Sequence, residues 1–102
     1  MKEFNKLVRD KIPNIIANNN ETCKTRTLND EEYLLALNTK IKEEVNEYLE
    51  SGEVEELADI EEVLRAILNV KNISYSEFEK VRENKVKKKG SFNDRIFLEY
   101  TD

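Results

Sequence analysis

The chain has 102 residues, of which 38% are hydrophobic and 38% are charged, a composition that predicts one small helical domain and argues against a β-sandwich. It has no histidine and one cysteine, which excludes Ser-His-Asp triads, imidazole metal sites, internal disulfides and zinc clusters. The net charge of −5 is uneven, because residues 29–64 hold thirteen acidic and two basic side chains while both flanking segments are basic. A nucleic-acid-binding protein would instead need a continuous basic face.

Taken in chain order, the first predicted element is a short helix with Asp10 as its N-cap and Pro13 in its first turn. This helix should end in the asparagine run 18–20, since asparagine favours turns. Residues 22–28 contain β-branched side chains in rough alternation, which predicts a short strand or an extended segment. Cys23 within it is expected to be an ordinary, partly buried residue.

Two long helices should follow and form a hairpin. Asn29 is a good N-cap with Glu32 as its capping-box partner, and it predicts a second helix from Asp30 to about Glu50. Ser51-Gly52 should end that helix, and a third helix should run from about Val54 to Val70. Because the connection is so short, these helices must be antiparallel neighbours.

The C-terminal part predicts one more helix and an extended tail. Ser74, with Glu77 as its box partner, should cap a fourth helix that ends at Gly90. Residues 95–100 resemble a strand that can pair with residues 22–28 as a small two-stranded β ribbon. The expected fold is therefore all-α, a single domain over residues 1–102 with about four helices and an optional ribbon.

Helical periodicity predicts which faces of the central hairpin are buried. The second helix should bury an apolar stripe: Leu34, Leu37, Ile41, Val45 and Tyr48. The third should bury a wider arc: Leu57, Ile60, Val63, Leu64, Ile67, Leu68 and Val70.

Four carboxylates border or enter these apolar faces. Glu44 lies at the edge of the stripe, with Glu47 next to it on the same flank. Glu56 falls inside the arc of the third helix, and Asp59 falls at its edge. A carboxylate that faces an apolar interior is costly without a partner, and neither face contains a lysine or arginine. A divalent cation shared by all four would compensate them, although a solvated face or interhelical salt bridges stays open as the alternative.

The donors of this predicted site are all oxygens, which favours Mg²⁺, with Mn²⁺ as a second choice, over zinc. We expect the cation to increase the acidity of a water molecule that Glu44 or Glu47 then orients or deprotonates.

Three blocks of sequence resemble one family. Lys40-x-x-x-Glu44-x-x-Glu47 followed by Glu56-Leu-Ala-Asp59 is similar to the ExxE…ExxD signature of the MazG-like all-α nucleoside triphosphate pyrophosphatases. The opening residues 6–13 resemble the branch labelled as similar to phosphoribosyl-ATP pyrophosphohydrolase, and residues 85–98 resemble its C-terminal motif. The gap between Glu47 and Glu56 is shorter than in most relatives, which shortens the hairpin.

This resemblance implies Mg²⁺-dependent hydrolysis of a nucleoside triphosphate to a monophosphate and pyrophosphate, with a house-cleaning role in nucleotide pools. It also implies a homodimer or a dimer of dimers. The metal ligands would be Glu44, Glu47, Glu56 and Asp59, and Glu44 and Glu47 are the catalytic candidates. The candidates for binding the substrate phosphates are Lys40, Lys85, Arg95 and Arg9, with Lys6 a weaker one.

Two other functions stay open at this stage. One is a phosphoribosyl-ATP pyrophosphohydrolase of histidine biosynthesis, and the other is a non-catalytic helical module that binds a nucleotide or a partner helix. The opening residues lack the apolar run of a signal peptide, and no apolar segment is long enough to span a bilayer. We therefore expect a cytoplasmic protein whose partners include neither a membrane nor a nucleic-acid polymer.

Overall fold

The computed structural model describes residues 2–102 and contains four helices in that range. They are α1 (Ile12–Asn18), α2 (Asp30–Ser51), α3 (Val54–Val70) and α4 (Tyr75–Lys89). The all-α prediction is confirmed, and the bounds of the three longer helices agree with the sequence-based bounds to within a residue.

Local chemistry at both ends explains the extent of α2. The Asn29 side chain accepts a hydrogen bond from the Glu32 backbone N–H at 2.9 Å, and the Glu32 carboxylate accepts one from the Asn29 N–H at 3.5 Å. At the other end Gly52 adopts φ 69°, and its N–H donates to the carbonyl of Tyr48 at 2.7 Å. A left-handed residue is what turns the chain so sharply into α3, and glycine accepts that conformation without steric cost.

The hairpin of α2 and α3 forms the core, and that core is small. Only Leu37, Val63 and Leu68 are buried apolar residues within the described range. Val45 and Leu57, both expected in the buried faces, are 39% and 46% exposed. The predicted faces were too wide because two helices alone touch along a narrow seam, whereas the sequence supplies apolar side chains for a wider contact.

The first turn of α4 packs against the hairpin, and the rest of α4 extends away from it. The Tyr75 ring packs on Phe78 with a centroid distance of 5.8 Å, and the Arg65 guanidinium lies 4.1 Å from the centre of the Tyr75 ring. Every residue from Lys80 to Asp102 is exposed. The radius of gyration is 18.2 Å, against about 13 Å for a compact domain of this length. The isolated chain is therefore elongated.

Three local predictions are corrected. Lys11 rather than Asp10 occupies the N-cap of α1, since Pro13 fixes where the first turn begins, and Lys11 makes no side-chain capping bond. Cys23 is exposed because no helix covers its extended segment.

The β ribbon is also absent from residues 2–102. Its C-terminal half begins in a turn, because Arg95 has φ 58° and its N–H donates to the carbonyl of Phe92 at 3.2 Å. The side chains that follow are exposed, so neither half has a helix to pack on, as a two-stranded ribbon requires.

As to membranes, none of the helices in residues 2–102 combines the length and apolar character needed to cross a bilayer.

Replacement of Asn29 by alanine tests the role of the capping box. We expect Asn29→Ala to lower the free energy of unfolding by about 1 kcal/mol, because the Glu32 backbone N–H loses its side-chain acceptor. Asn38→Ala, at an exposed position inside α2, should cause no loss because alanine is the better helix former. Urea unfolding at one protein concentration measures both variants, and equal losses would contradict the capping role.

Candidate metal centre

Four carboxylates meet where α2 and α3 face each other near the Gly52 turn. Glu44 and Glu47 lie one turn apart on α2, and Glu56 and Asp59 lie one turn apart on α3. One oxygen from each residue can be chosen so that all four lie within 4.8 Å of one another. The register of the short hairpin therefore brings the two predicted pairs level, and we call these four residues the carboxylate cluster.

Glu44 is the innermost member of the cluster. It is 7% exposed, and its Oε2 atom is buried with no hydrogen-bond partner among residues 2–102. An unpartnered buried carboxylate oxygen is expensive, since it has lost water and gained nothing. Helical periodicity predicts Glu56 inside the buried apolar arc of α3, but its side chain is only half-buried. Glu47 is exposed. The difference arises because the narrow seam between the helices covers Glu44 more completely than Glu56.

Within residues 2–102, two cations contact the cluster, and one of them comes from outside the hairpin. The Lys40 Nζ lies 3.7 Å from Glu44 Oε1 and 3.6 Å from Glu43 Oε2. The Arg9 Nη2 lies 2.6 Å from Asp59 Oδ1. The positions of side chains around α2 and α3 cannot indicate the Arg9–Asp59 pair, because Arg9 lies 50 positions before Asp59 and outside both helices. These two cations are fewer than the four carboxylates, so at least two formal negative charges of the cluster have no contacting cation among the described residues.

Burial, together with the crowding of like charges, raises the pKa of two members of the cluster. Burial, followed by the neighbouring Glu47 carboxylate, raises the pKa of Glu44 above its usual 4.5, and the Lys40 ammonium only partly opposes this rise. Desolvation and the Glu47 carboxylate also raise the pKa of Glu56. Both shifts favour the neutral, protonated form of Glu44 and Glu56 over the ionised form.

The donor set suits a hard divalent cation. All four donors are carboxylate oxygens, and ligands around one Mg²⁺ lie about 3 to 4 Å apart at its bond length of about 2.1 Å. The observed 4.8 Å limit is slightly wider, so small side-chain rotations would close the cluster around one ion. The orphaned Glu44 oxygen would then have a partner.

The other predicted phosphate-binding residues lie elsewhere. Lys85 is in the exposed part of α4, and Arg95 is in the exposed tail. No ion pair or hydrogen bond joins either residue to the cluster in the part of the chain that the structure describes. Lys6 lies over the Phe4 ring, with its Nζ 5.6 Å from the ring centre.

Comparison with known proteins finds no matching family model, no matching curated protein and no matching solved structure.

Neutralising Glu44 tests the electrostatic cost of the cluster. Because its pKa is raised, the folded state loses stability as pH rises above 4.5, where the unfolded carboxyl ionises, and the loss is complete above the raised folded pKa. Without divalent ions, the stability of Glu44→Gln relative to the native chain should therefore increase from about pH 4 to about pH 8.

The matched control is Glu62→Gln, an exposed acid of α3 outside the cluster. Its stability difference should change little across the same series of urea unfolding curves. A Glu44→Gln difference that is flat or decreasing with pH would contradict the described crowding.

Proposed function

We propose that this protein is a Mg²⁺-dependent nucleoside triphosphate pyrophosphatase that releases a monophosphate and pyrophosphate. The observation that carries the proposal is the buried, unpartnered Glu44 oxygen in a group of four carboxylates with too few cations. A purely structural cluster would be expected to satisfy that oxygen. The reaction class comes from the resemblance of these acids and their spacing to the MazG-like enzymes.

In this proposal Glu44, Glu47, Glu56 and Asp59 hold the Mg²⁺. When bound, the ion supplies positive charge to phosphate oxygens and increases the acidity of water. Glu44 is the fixed member of the set, since the helix seam restricts its rotamers. Glu56 and Asp59 supply the opposite side from α3.

Glu47 is the better of the two candidates for the base, because it is exposed and water can reach it. A water oxygen forms a bond to one phosphorus of the α–β anhydride, and one water proton passes to Glu47. The bond between that phosphorus and the bridging oxygen breaks, the bridging oxygen stays with the other phosphorus, and the monophosphate and pyrophosphate separate.

Lys40 and Arg9 already lie beside the cluster, paired with Glu44 and Asp59. Once a divalent cation satisfies those carboxylates, both side chains are free to meet the phosphate oxygens, where charge neutralisation is the main catalytic need. Lys85 and Arg95 lie on the exposed part of α4 and on the exposed tail, and we assign them to the phosphates bound by another copy of the chain. We include a homodimer or a dimer of dimers, and a house-cleaning role in nucleotide pools, in the proposal.

Pyrophosphate release from a panel of nucleoside triphosphates, with and without Mg²⁺, tests the reaction. We expect release only with Mg²⁺, and Glu56→Ala should reduce it to background because α3 loses one of its two ligands to the ion. Glu62→Ala on the same helix should keep full activity. Full activity of Glu56→Ala would refute the role of Glu56 as a metal ligand. Turnover of phosphoribosyl-ATP alone would instead indicate a phosphoribosyl-ATP pyrophosphohydrolase of histidine biosynthesis.

Binding of Mn²⁺, followed by electron paramagnetic resonance, tests the metal centre separately from turnover. The native chain should remove Mn²⁺ from the free-ion signal, and Mg²⁺ should compete. Glu56→Ala should bind at least about tenfold more weakly, whereas Glu62→Ala should bind normally. Binding without turnover of any nucleotide would indicate a non-catalytic module.

A further inference from the structure

A cavity of about 220 Å³ lies at the end of the hairpin opposite the Gly52 turn, and we call it the distal pocket. Two of its residues lie at the start of α2, and the others lie at the end of α3 and in the loop that follows. The lining combines an aromatic ring and an aliphatic side chain with a carboxylate and two amides. The residues are Asp30, Tyr33, Asn69, Val70 and Asn72.

The distal pocket lies on the same side of the hairpin as the carboxylate cluster. Tyr33 precedes Glu44 on α2 by eleven residues, which is about three turns of helix, so both side chains leave α2 on one flank. Val70 follows Asp59 on α3 by the same interval. Since the pocket joins Tyr33 to Val70 and the cluster joins Glu44 to Asp59, one face of the hairpin carries both sites.

The spacing of the two sites suits a nucleotide. They are about 16 Å apart, because each of the eleven helical residues between them rises about 1.5 Å. Lys40 lies between them on α2, two turns after Tyr33 and one turn before Glu44. Ala66 lies between them on α3 and carries only a methyl group. An extended nucleoside triphosphate bridges such a gap, because its sugar and phosphates separate the base from a metal on the phosphates.

A second cavity, of about 240 Å³, lies at the junction of α3 and α4 and does not share this face. Arg65, which lines it, follows Asp59 by six residues and so lies about 120° around α3 from it. The Arg65 guanidinium is already paired with Glu61 at 2.9 Å and lies 4.1 Å from the centre of the Tyr75 ring. The distal pocket is therefore the cavity that can act together with the cluster.

The size and apolar lining of the distal pocket suit a nucleobase. Sites for drug-sized ligands measure about 300 to 1,000 Å³, so a cavity of about 220 Å³ takes a base and leaves the rest of a nucleotide outside. The Tyr33 ring is half-buried, and bases stack on aromatic rings of this kind regardless of their sequence. The half-buried Val70 side chain adds an apolar surface across the pocket.

The polar lining favours a base that carries an exocyclic amino group. Within residues 2–102, the side chains of Asp30, Asn69 and Asn72 form no hydrogen bond and no ion pair, so their polar groups are available to a ligand. A carboxylate only accepts hydrogen bonds, as from the amino group of cytosine, and asparagine pairs with the amino group and a ring nitrogen of adenine. A base with a carbonyl in place of the amino group would offer the Asp30 oxygens no proton.

From these observations we infer that the distal pocket is the base subsite of the substrate and selects bases with an exocyclic amino group. Tyr33 stacks on the base and Asp30 accepts a hydrogen bond from its amino group. The triphosphate extends along the hairpin, past Lys40, to the carboxylate cluster. This subsite rests on the proposed function, since that function makes a nucleotide the ligand.

Pyrophosphate release from matched substrate pairs tests the selectivity. ATP against ITP and CTP against UTP each exchange an amino group for a carbonyl. We expect kcat/KM to be at least about tenfold higher for the amino-bearing member, and Asp30→Asn should reduce this ratio to below about threefold. Glu31→Gln, at the adjacent exposed acid outside the pocket, should keep the native ratio. A native ratio near one, or a ratio that Asp30→Asn leaves unchanged, would overturn the base subsite.

Substitution of Tyr33 tests the stacking. Tyr33→Ala should raise the KM for ATP at least about tenfold and leave kcat within about twofold, whereas Tyr33→Phe should keep both values. Mn²⁺ affinity should stay native in both variants, because the metal ligands are three turns away, and it reports that the hairpin is folded. A KM that Tyr33→Ala does not change would overturn the stacking role. Should Tyr33→Ala unfold, Asp30→Asn at its exposed position still tests the subsite.

Saturation-transfer difference NMR with adenosine and inosine separates the base subsite from the reaction, because it uses neither phosphate nor metal. We expect saturation of the adenosine ring protons by the native chain and by Tyr33→Phe. The signal should be at least about fivefold weaker for inosine and for Tyr33→Ala. This pattern without turnover of any nucleotide would refute the proposed reaction and support the pocket as a nucleoside site. Turnover without saturation of adenosine would overturn the base subsite alone.

Discussion

The repulsion among four carboxylates in one helical hairpin is the constraint on which the rest of the structure depends. A two-residue connection sets α2 and α3 in the register that brings Glu44 and Glu47 level with Glu56 and Asp59. The left-handed Gly52 ends α2 at the turn that sets this register, and the capping box at Asn29 fixes where α2 begins. The interactions at the ends of α2 ordinarily add stability, and here they also keep four like charges close together.

This arrangement is costly for so small a protein. Three buried apolar residues give the hairpin a limited core, and one of its deepest side chains is the acidic Glu44. Lys40 and Arg9 offset part of the repulsion, but each satisfies one carboxylate of the cluster and neither reaches the Glu44 Oε2. In the proposed function, a bound cation and a second chain would each supply what the single chain lacks.

The sequence predicts this fold well where local signals act alone. Asn29 with Glu32, Ser74 and the two glycines determine helix ends through nearest-neighbour hydrogen bonds and backbone conformation, and these bounds were correct. Helical periodicity also predicts that the four acids lie on the inward flanks of α2 and α3. It failed on burial, because Val45 and Leu57 lie on apolar faces that no element of the same chain covers.

Contacts between residues far apart in the sequence cannot be predicted from local capping signals or helical periodicity. The Arg9–Asp59 pair joins residues 50 positions apart, and no spacing rule along a helix can indicate it. The predicted ribbon failed for a similar reason: residues 95–100 have strand-like side chains, but the turn at Arg95 and the absence of a supporting surface prevent pairing.

Anomalous diffraction from crystals grown with Mn²⁺ tests whether the carboxylate cluster holds a divalent cation. We expect a Mn²⁺ peak between α2 and α3, within about 2.3 Å of oxygens from both helices, with Glu44 Oε2 among its ligands or hydrogen-bonded to one of its waters. A cluster that stays free of Mn²⁺ at saturating concentration, with Lys40 and Arg9 still paired to their carboxylates, would contradict this expectation.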